Sequence, residues 1–252
     1  MHAFLTALGF LTRIPIPGDG GNIDSRTLSK SIIFFPVVGA IIGTVNAGIF
    51  ILLHSYLPRP VLSVLIIALP IFMTGGIHFD GLLDTCDGIF SGRSRERSLE
   101  IMRDSRVGSM GVIAGILNVM LRYSILLELP AAIIPVLLIA QAAAGRWVMA
   151  LGLHFFPYAR KDGLGQGFTA EKKIYYVALS SLLALLIALL ITGTAGLLIV
   201  LIVGSLALLI AGWVKRQLGG LTGDVYGALN EVSENFFLIL WMVGSITFHL
   251  IP

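Results

Sequence analysis

Cysteine occurs once in this sequence, at position 86, which excludes an internal disulfide and a cysteine-based metal cluster. Cys86 reads as a small residue packed beside neighbouring aspartates. Charge is also scarce: 12% of residues are Asp, Glu, Lys or Arg, against 56% hydrophobic and a mean hydropathy of +0.93. Such a chain is too apolar for a soluble domain. The net charge of +3, without a basic-aromatic pattern, argues against a nucleic-acid partner. No basic residue precedes the short apolar run Phe4–Leu11 and no A-x-A site follows before Pro15 and Pro17, so a cleaved signal peptide is not expected. An interfacial or re-entrant segment fits better. No internal repeat stands out, which weighs against a transporter built from inverted halves.

What the chain does have is long apolar runs. They lie at Ser31–Leu53, Val61–Ile77, Gly108–Leu127, Ala131–Phe156, Ile174–Thr192, Ala195–Val214 and Phe236–Ile251. Most approach the roughly 20 residues that cross a hydrocarbon core, and they are continuous rather than alternating. The pattern predicts an all-α polytopic membrane bundle of about seven spans, within about one either way, forming a single domain over residues 1–252. Gly39, Gly43 and Ala47 form a small-residue ridge suited to close helix packing.

The connecting segments alternate in charge. The N-terminal segment, His78–Val107, Pro157–Lys173 and Lys215–Asn235 carry nearly all the Lys and Arg, and the opposite loops have only Arg59. The positive-inside rule then predicts a multi-pass protein of the cytoplasmic (inner) membrane, with the N-terminus and the acidic residues facing the cytoplasm.

The acidic residues cluster within that side. In T-G-G-I-H-F-D-G-L-L-D-T-C-D-G, from Thr74 to Gly88, the aspartates Asp80, Asp84 and Asp87 fall at i, i+4 and i+7. On a helix these span about 60° of arc at roughly 100° per residue. Three like charges on one face repel unless a cation holds them, and a divalent ion is the usual solution. The blander alternative is a solvated acidic turn at the membrane surface. The flanking glycines also allow a turn leading into a helix. A second acidic segment, Gly219 to Glu234, puts Asp224 and Glu231 on one face, with Gly227 between them leaving room for a ligand. Together the segments would supply about five hard oxygen ligands, suited to Mg²⁺ completed by waters and substrate phosphates. Zinc is disfavoured without clustered His or Cys.

Other candidates surround these. His78 is a ligand or acid/base candidate, although an ideal helix points it away from the three aspartates. Arg93, Arg95 and Arg97 read as a solvated, headgroup-facing run. Arg103 and Arg106 precede a span and suit phosphate, while Asp104 is either a metal ligand or an arginine partner. Arg122 is expected to snorkel, toward Glu128. Arg146 lies deep in a span, facing a cavity, a substrate oxygen or a structural ion partner. Arg160 and Lys161, beside Asp162 in a glycine-rich loop, could close over phosphates.

G-G-I-H-F-D-G-L-L-D-T-C-D-G, then E-I-M-R-D-S-R-V-G-S-M-G, the Gly145-Arg146 pair and G-G-L-T-G-D-V-Y-G-A-L-N-E resemble the cobalamin synthase family, the adenosylcobinamide-GDP ribazoletransferases. The opening F-L-T-R-I-P-I-P, Phe10 to Pro17, fits the same pattern, so the resemblance covers essentially the whole chain. Cys86 stands where a small residue such as Ala is common. The resemblance implies that α-ribazole, or its 5′-phosphate, is joined to adenosylcobinamide-GDP with release of GMP, using Mg²⁺ at the membrane. In that reaction Asp80, Asp84, Asp87, Asp224 and Glu231, with Asp104 as a further candidate, would hold Mg²⁺. Arg146, Arg103 or Arg106 would neutralise phosphate oxygens. Asp84, Asp87, Arg146 and His78 are the candidate catalytic groups. A homo-oligomer stays open.

Two other readings compete. A CDP-alcohol-type phosphotransferase also uses clustered membrane aspartates, but its D-G-x2-A-R run is missing here. A cation or metabolite transporter would hold its carboxylates at mid-depth rather than at one face.

Overall fold

The structure is a computed structural model and describes residues 2–15, 24–160 and 162–248. Lys161 and residues 16–17 of the opening motif lie outside them. Helices dominate: α1 (His2–Leu11), α2 (Ser25–Ser31), then a 3₁₀ turn into α3 (Phe35–Leu53), and α4 (Arg59–Thr74). There follow α5 (Ile77–Ile89), α6 (Arg95–Ile101), α7 (Ser109–Glu128), α8 (Ile134–Phe155), α9 (Leu164–Phe168), α10 (Ile174–Leu218) and α11 (Gly223–Phe248). No strand forms among the described residues, apart from one isolated bridge between Tyr158 and Leu221.

Four of these helices are long and apolar enough to cross a membrane: the segment Ser25–Leu53, α7, α8 and α10. A fifth is added if α4 and α5, bent by 92° at Gly75 and Gly76, count as one broken span. The expected run Val61–Ile77 therefore ends at Thr74, and Ile77 opens the next helix. Both glycines adopt the left-handed conformation that L side chains rarely take, which lets the chain turn so sharply.

The 45 residues of α10 fold back on themselves. Gly193 leaves helical geometry at φ 67, ψ −162. Trp147 of α8 donates its indole N–H to Ser181 at 2.9 Å, while its ring also packs against Gly204 in the other half. A straight helix would separate those two residues by roughly 35 Å at about 1.5 Å per residue. So α10 holds both expected runs, Ile174–Thr192 and Ala195–Val214, as a hairpin. α11 lies outside the set of long apolar helices, because its N-terminal half carries Asp224, Glu231 and Glu234.

The bundle is organised around α8, whose residues from Ala140 to Leu153 are all buried. The predicted small-residue ridge of α3 packs here: a Cβ on Gly39 would strike the Ala142 carbonyl, and one on Gly43 would lie 2.6 Å from the Ile139 Cα. α3, α10 and α11 wrap α8, and α5 lies between α11 and α7.

Candidate active site

Four connecting regions meet at one end of the bundle. Ala159 donates its N–H to the Leu221 carbonyl at 2.8 Å, and Leu221 donates to Pro157 at 2.9 Å. These bonds fasten the segment after α8 to the start of α11. Arg95 donates to the Leu218 carbonyl at 2.8 Å, satisfying the C-terminus of α10. It therefore caps a helix, where the sequence suggested only a solvated arginine. Ser29 of α2 donates to the Gly167 carbonyl at 3.2 Å, tying in the N-terminal segment. The basic segments grouped by charge thus share one end.

Two glycines let α5 and α11 touch there. A Cβ on Gly81 would sit 2.6 Å from the Asp224 carbonyl oxygen, and one on Gly227 2.9 Å from the His78 Cα. Gly227 therefore makes room for the backbone of α5, where room for a ligand was expected. The close approach sets Asp80 and Asp224 on the wall of one cavity of ≈ 440 Å³, together with His78, Tyr158, Arg160 and Tyr226. Phe10 and Phe168 supply an aromatic side, with ring centroids 4.5 Å apart. Asp84, one turn further along α5, does not line the cavity but lies within electrostatic reach of Asp80, Asp87, Asp224 and Arg160.

Arg160 is the cation of this rim. It donates to the Asp224 carboxylate at 2.7 Å, which also accepts from Thr222 at 3.2 Å. It also lines a second, more open cavity of ≈ 310 Å³, shared with Arg103, Asp162, Glu96 and Glu100. Arg103 and Arg160 thus share one edge with three carboxylates.

The remaining candidates are distributed differently. Asp87 accepts from the backbone N–H of Gly108 at 2.7 Å and of Gly111 at 2.8 Å, so it sits on the positive N-terminus of α7. Asp104 is held by Arg106 through two side-chain bonds, at 3.0 and 2.7 Å, which draw its carboxyl down to about 2. Of the two roles considered for Asp104, the arginine partner is the one seen. Glu231 accepts from Asn118 at 3.2 Å and pairs with Arg122 at 3.3 Å, below the rim.

That pair belongs to a buried network. Arg122 also pairs with Glu234 at 3.0 Å and donates to Asn235 at 2.8 Å, so it turns inward where snorkelling toward Glu128 was expected. Arg146, 2% exposed, pairs with Glu234 and donates to His78 Nδ1 at 3.3 Å. Two guanidiniums meet two carboxylates with amides filling the gaps, which is how buried charge is tolerated in a bundle. His78 links this network to the cavity, whose wall it shares with Asp80 and Asp224.

Sequence reasoning passed over Phe10, Tyr158, Phe168 and Tyr226 as site residues. Tyr226 and Phe10 carried a signal, since they lie inside G-D-V-Y-G and F-L-T-R-I-P-I-P; the other two are aromatic residues of the kind any membrane protein contains.

Together these features define an all-α membrane protein with a polar, acid- and arginine-lined cavity at one end of its bundle. The chain belongs to the cobalamin-5-phosphate synthase family, whose model matches residues 3–242. Similar curated proteins are named adenosylcobinamide-GDP ribazoletransferase. That of Desulfitobacterium hafniense (strain Y51) is 38% identical, over 95% of this chain and 96% of the relative. That of Acetivibrio thermocellus is 40% identical, over 96% of this chain and 97% of the relative. That of Escherichia coli O157:H7 is 38% identical, over 94% and 97%. No solved structure matches the chain.

Proposed function

We propose that this protein joins α-ribazole, or its 5′-phosphate, to adenosylcobinamide-GDP with release of GMP. The reaction would take place at the cytoplasmic face of the inner membrane. The observation that carries this reading is the convergence of Asp80, Asp224 and Arg160 on one cavity, with Asp84 within electrostatic reach, in a chain whose relatives bear that activity in their name.

The donor set fits Mg²⁺. Among the described residues no group of three or more His, Cys, Asp or Glu side chains stands ready as a cage. Mg²⁺ does not need one, since one or two carboxylates commonly hold it while waters and substrate phosphates complete the octahedron. Asp80 and Asp84 are the groups that would do so, with Asp224, shared with Arg160, beside them. Asp87, Asp104 and Glu231 are engaged by the α7 N-terminus, Arg106 and Arg122, and support the site from outside. Bound there, Mg²⁺ would neutralise charge that builds on the diphosphate oxygens.

The chain's own groups do the rest. Arg160 and Arg103 hold the diphosphate along the edge they share and orient it for in-line attack. A ribose hydroxyl of the acceptor forms a bond to the phosphorus nearer the cobinamide. The bond from that phosphorus to the bridging oxygen breaks, and GMP leaves with that oxygen. The hydroxyl proton passes to the exposed carboxylate of Asp80. Arg146 acts at one remove, through His78.

The test is a mass-spectrometric assay of detergent-purified protein with adenosylcobinamide-GDP, α-ribazole and Mg²⁺. GMP and the joined product should form together and stop in excess chelator. Product without Mg²⁺ would refute the metal's role, and no product under any of these conditions would refute the reading.

A further inference from the structure

Among the described residues, three of the cavity wall hold a buried polar atom without a partner: His78 Nε2, Arg160 Nε and Tyr226 Oη. His78 and Tyr226 are 2% and 3% exposed. Arg146 decides what His78 offers. A guanidinium has only donors, so the 3.3 Å contact makes Nδ1 the acceptor and leaves the ring proton on Nε2. His78 therefore keeps an unpartnered N–H, and Tyr226 an unpartnered O–H. A buried donor left without an acceptor bears its full desolvation cost, and here both belong to residues of one cavity wall. The wall also holds Phe10 and Phe168, with Met149 and Leu153.

Donors on one part of the wall and aromatic, apolar surface on another match a planar heterocycle carrying a sugar. A diphosphate would take the side of Arg160, which borders both this cavity and the more open one it shares with Arg103. A volume of ≈ 440 Å³ does not admit a corrin macrocycle with its side chains. We propose that this cavity is the subsite of the acceptor nucleoside. Its base lies against Phe10 and Phe168, and its ribose oxygens accept from His78 Nε2 and Tyr226 Oη. The corrinoid stays outside, with only its diphosphate reaching the rim. α1, which contributes Phe10, is then part of the substrate site. The assignment rests on the transferase reading above.

The test varies each substrate in turn on the full chain, for wild type, Tyr226→Phe and Phe168→Ala. In Tyr226→Phe the KM for α-ribazole should rise about tenfold while that for adenosylcobinamide-GDP stays within about twofold, the effect of one lost hydrogen bond. Phe168→Ala should show the same split. Equilibrium dialysis of α-ribazole alone, without Mg²⁺ or the second substrate, should show weaker binding by both variants. His78→Gln, which keeps an N–H near the Nε2 position, should bind α-ribazole better than His78→Ala. An active wild type whose variants keep the α-ribazole KM, or raise only the adenosylcobinamide-GDP KM, overturns the subsite and leaves the transferase reading intact. A wild type that releases no GMP refutes the transferase reading instead, while the dialysis still reports on α-ribazole.

Discussion

At the rim, Asp224 pairs with one guanidinium, Arg160, and Asp80 and Asp84 lie nearby without a cation of their own among the described residues; in mid-bundle, Arg122 and Arg146 meet Glu231 and Glu234 one for one. Both groups draw their carboxylates in part from α11, so the choice of helix alone does not explain the difference. Depth does. A charge removed from water must be matched within the protein, and the buried network is matched and closed. The rim can draw on solvent, so it carries a surplus of negative charge that a cation or a phosphate-bound metal can use. One region is arranged for folding and the other for chemistry.

The largest effect should come from unbalancing the closed network. Arg146→Met leaves Glu234 with less than its full complement, at a cost of about 3–5 kcal/mol. The melting midpoint in detergent should fall steeply, with little folded protein recovered. Adding Glu234→Met should restore much of the loss, because the remaining Arg122–Glu231 pair is again neutral. A double variant no better than the single one would mean that the ions are not matched as described.

A smaller effect belongs to Asp87, which stands between the two regions. Asp87→Asn keeps an acceptor for one of the α7 amides but loses the charge on that helix end, worth about 1 kcal/mol. Melting should drop by a few degrees, with activity reduced less than by changes to Asp84. The smallest effect is at the opposite end. Glu128 is exposed at the C-terminus of α7, where a negative charge is mildly unfavourable. Glu128→Gln should leave turnover unchanged and alter stability by about 0.5 kcal/mol or less.

The rim was legible in the sequence because carboxylates are rare in so apolar a chain, and the spacing of Asp80 and Asp84 marks one helix face. The grouping of basic loops at one end was legible for a related reason. Arg122 was misplaced because sequence spacing sets a residue's depth along its own helix but not which neighbour it faces. Gly227 was misread for the same reason: a glycine opens space, and only the packed structure shows that His78 takes it. The span count rested on apolar runs, and here the gap around Gly193 marked the turn within α10. The aromatic wall left less trace, since Phe168 differs in nothing from lipid-facing phenylalanines until α1 and α9 are brought together.

The central claim is that rim carboxylates serve turnover and not the fold. The most direct test measures GMP release at limiting Mg²⁺ and the melting midpoint on the same preparation of Asp84→Asn. Asparagine keeps the side-chain volume and one oxygen but removes the charge. Turnover should fall at least about a hundredfold, at about 1.4 kcal/mol per tenfold, while melting stays at or above wild type because a repelling charge has gone. Wild-type turnover with a lowered melting midpoint would contradict the account, placing Asp84 with the structural charges and the chemistry elsewhere.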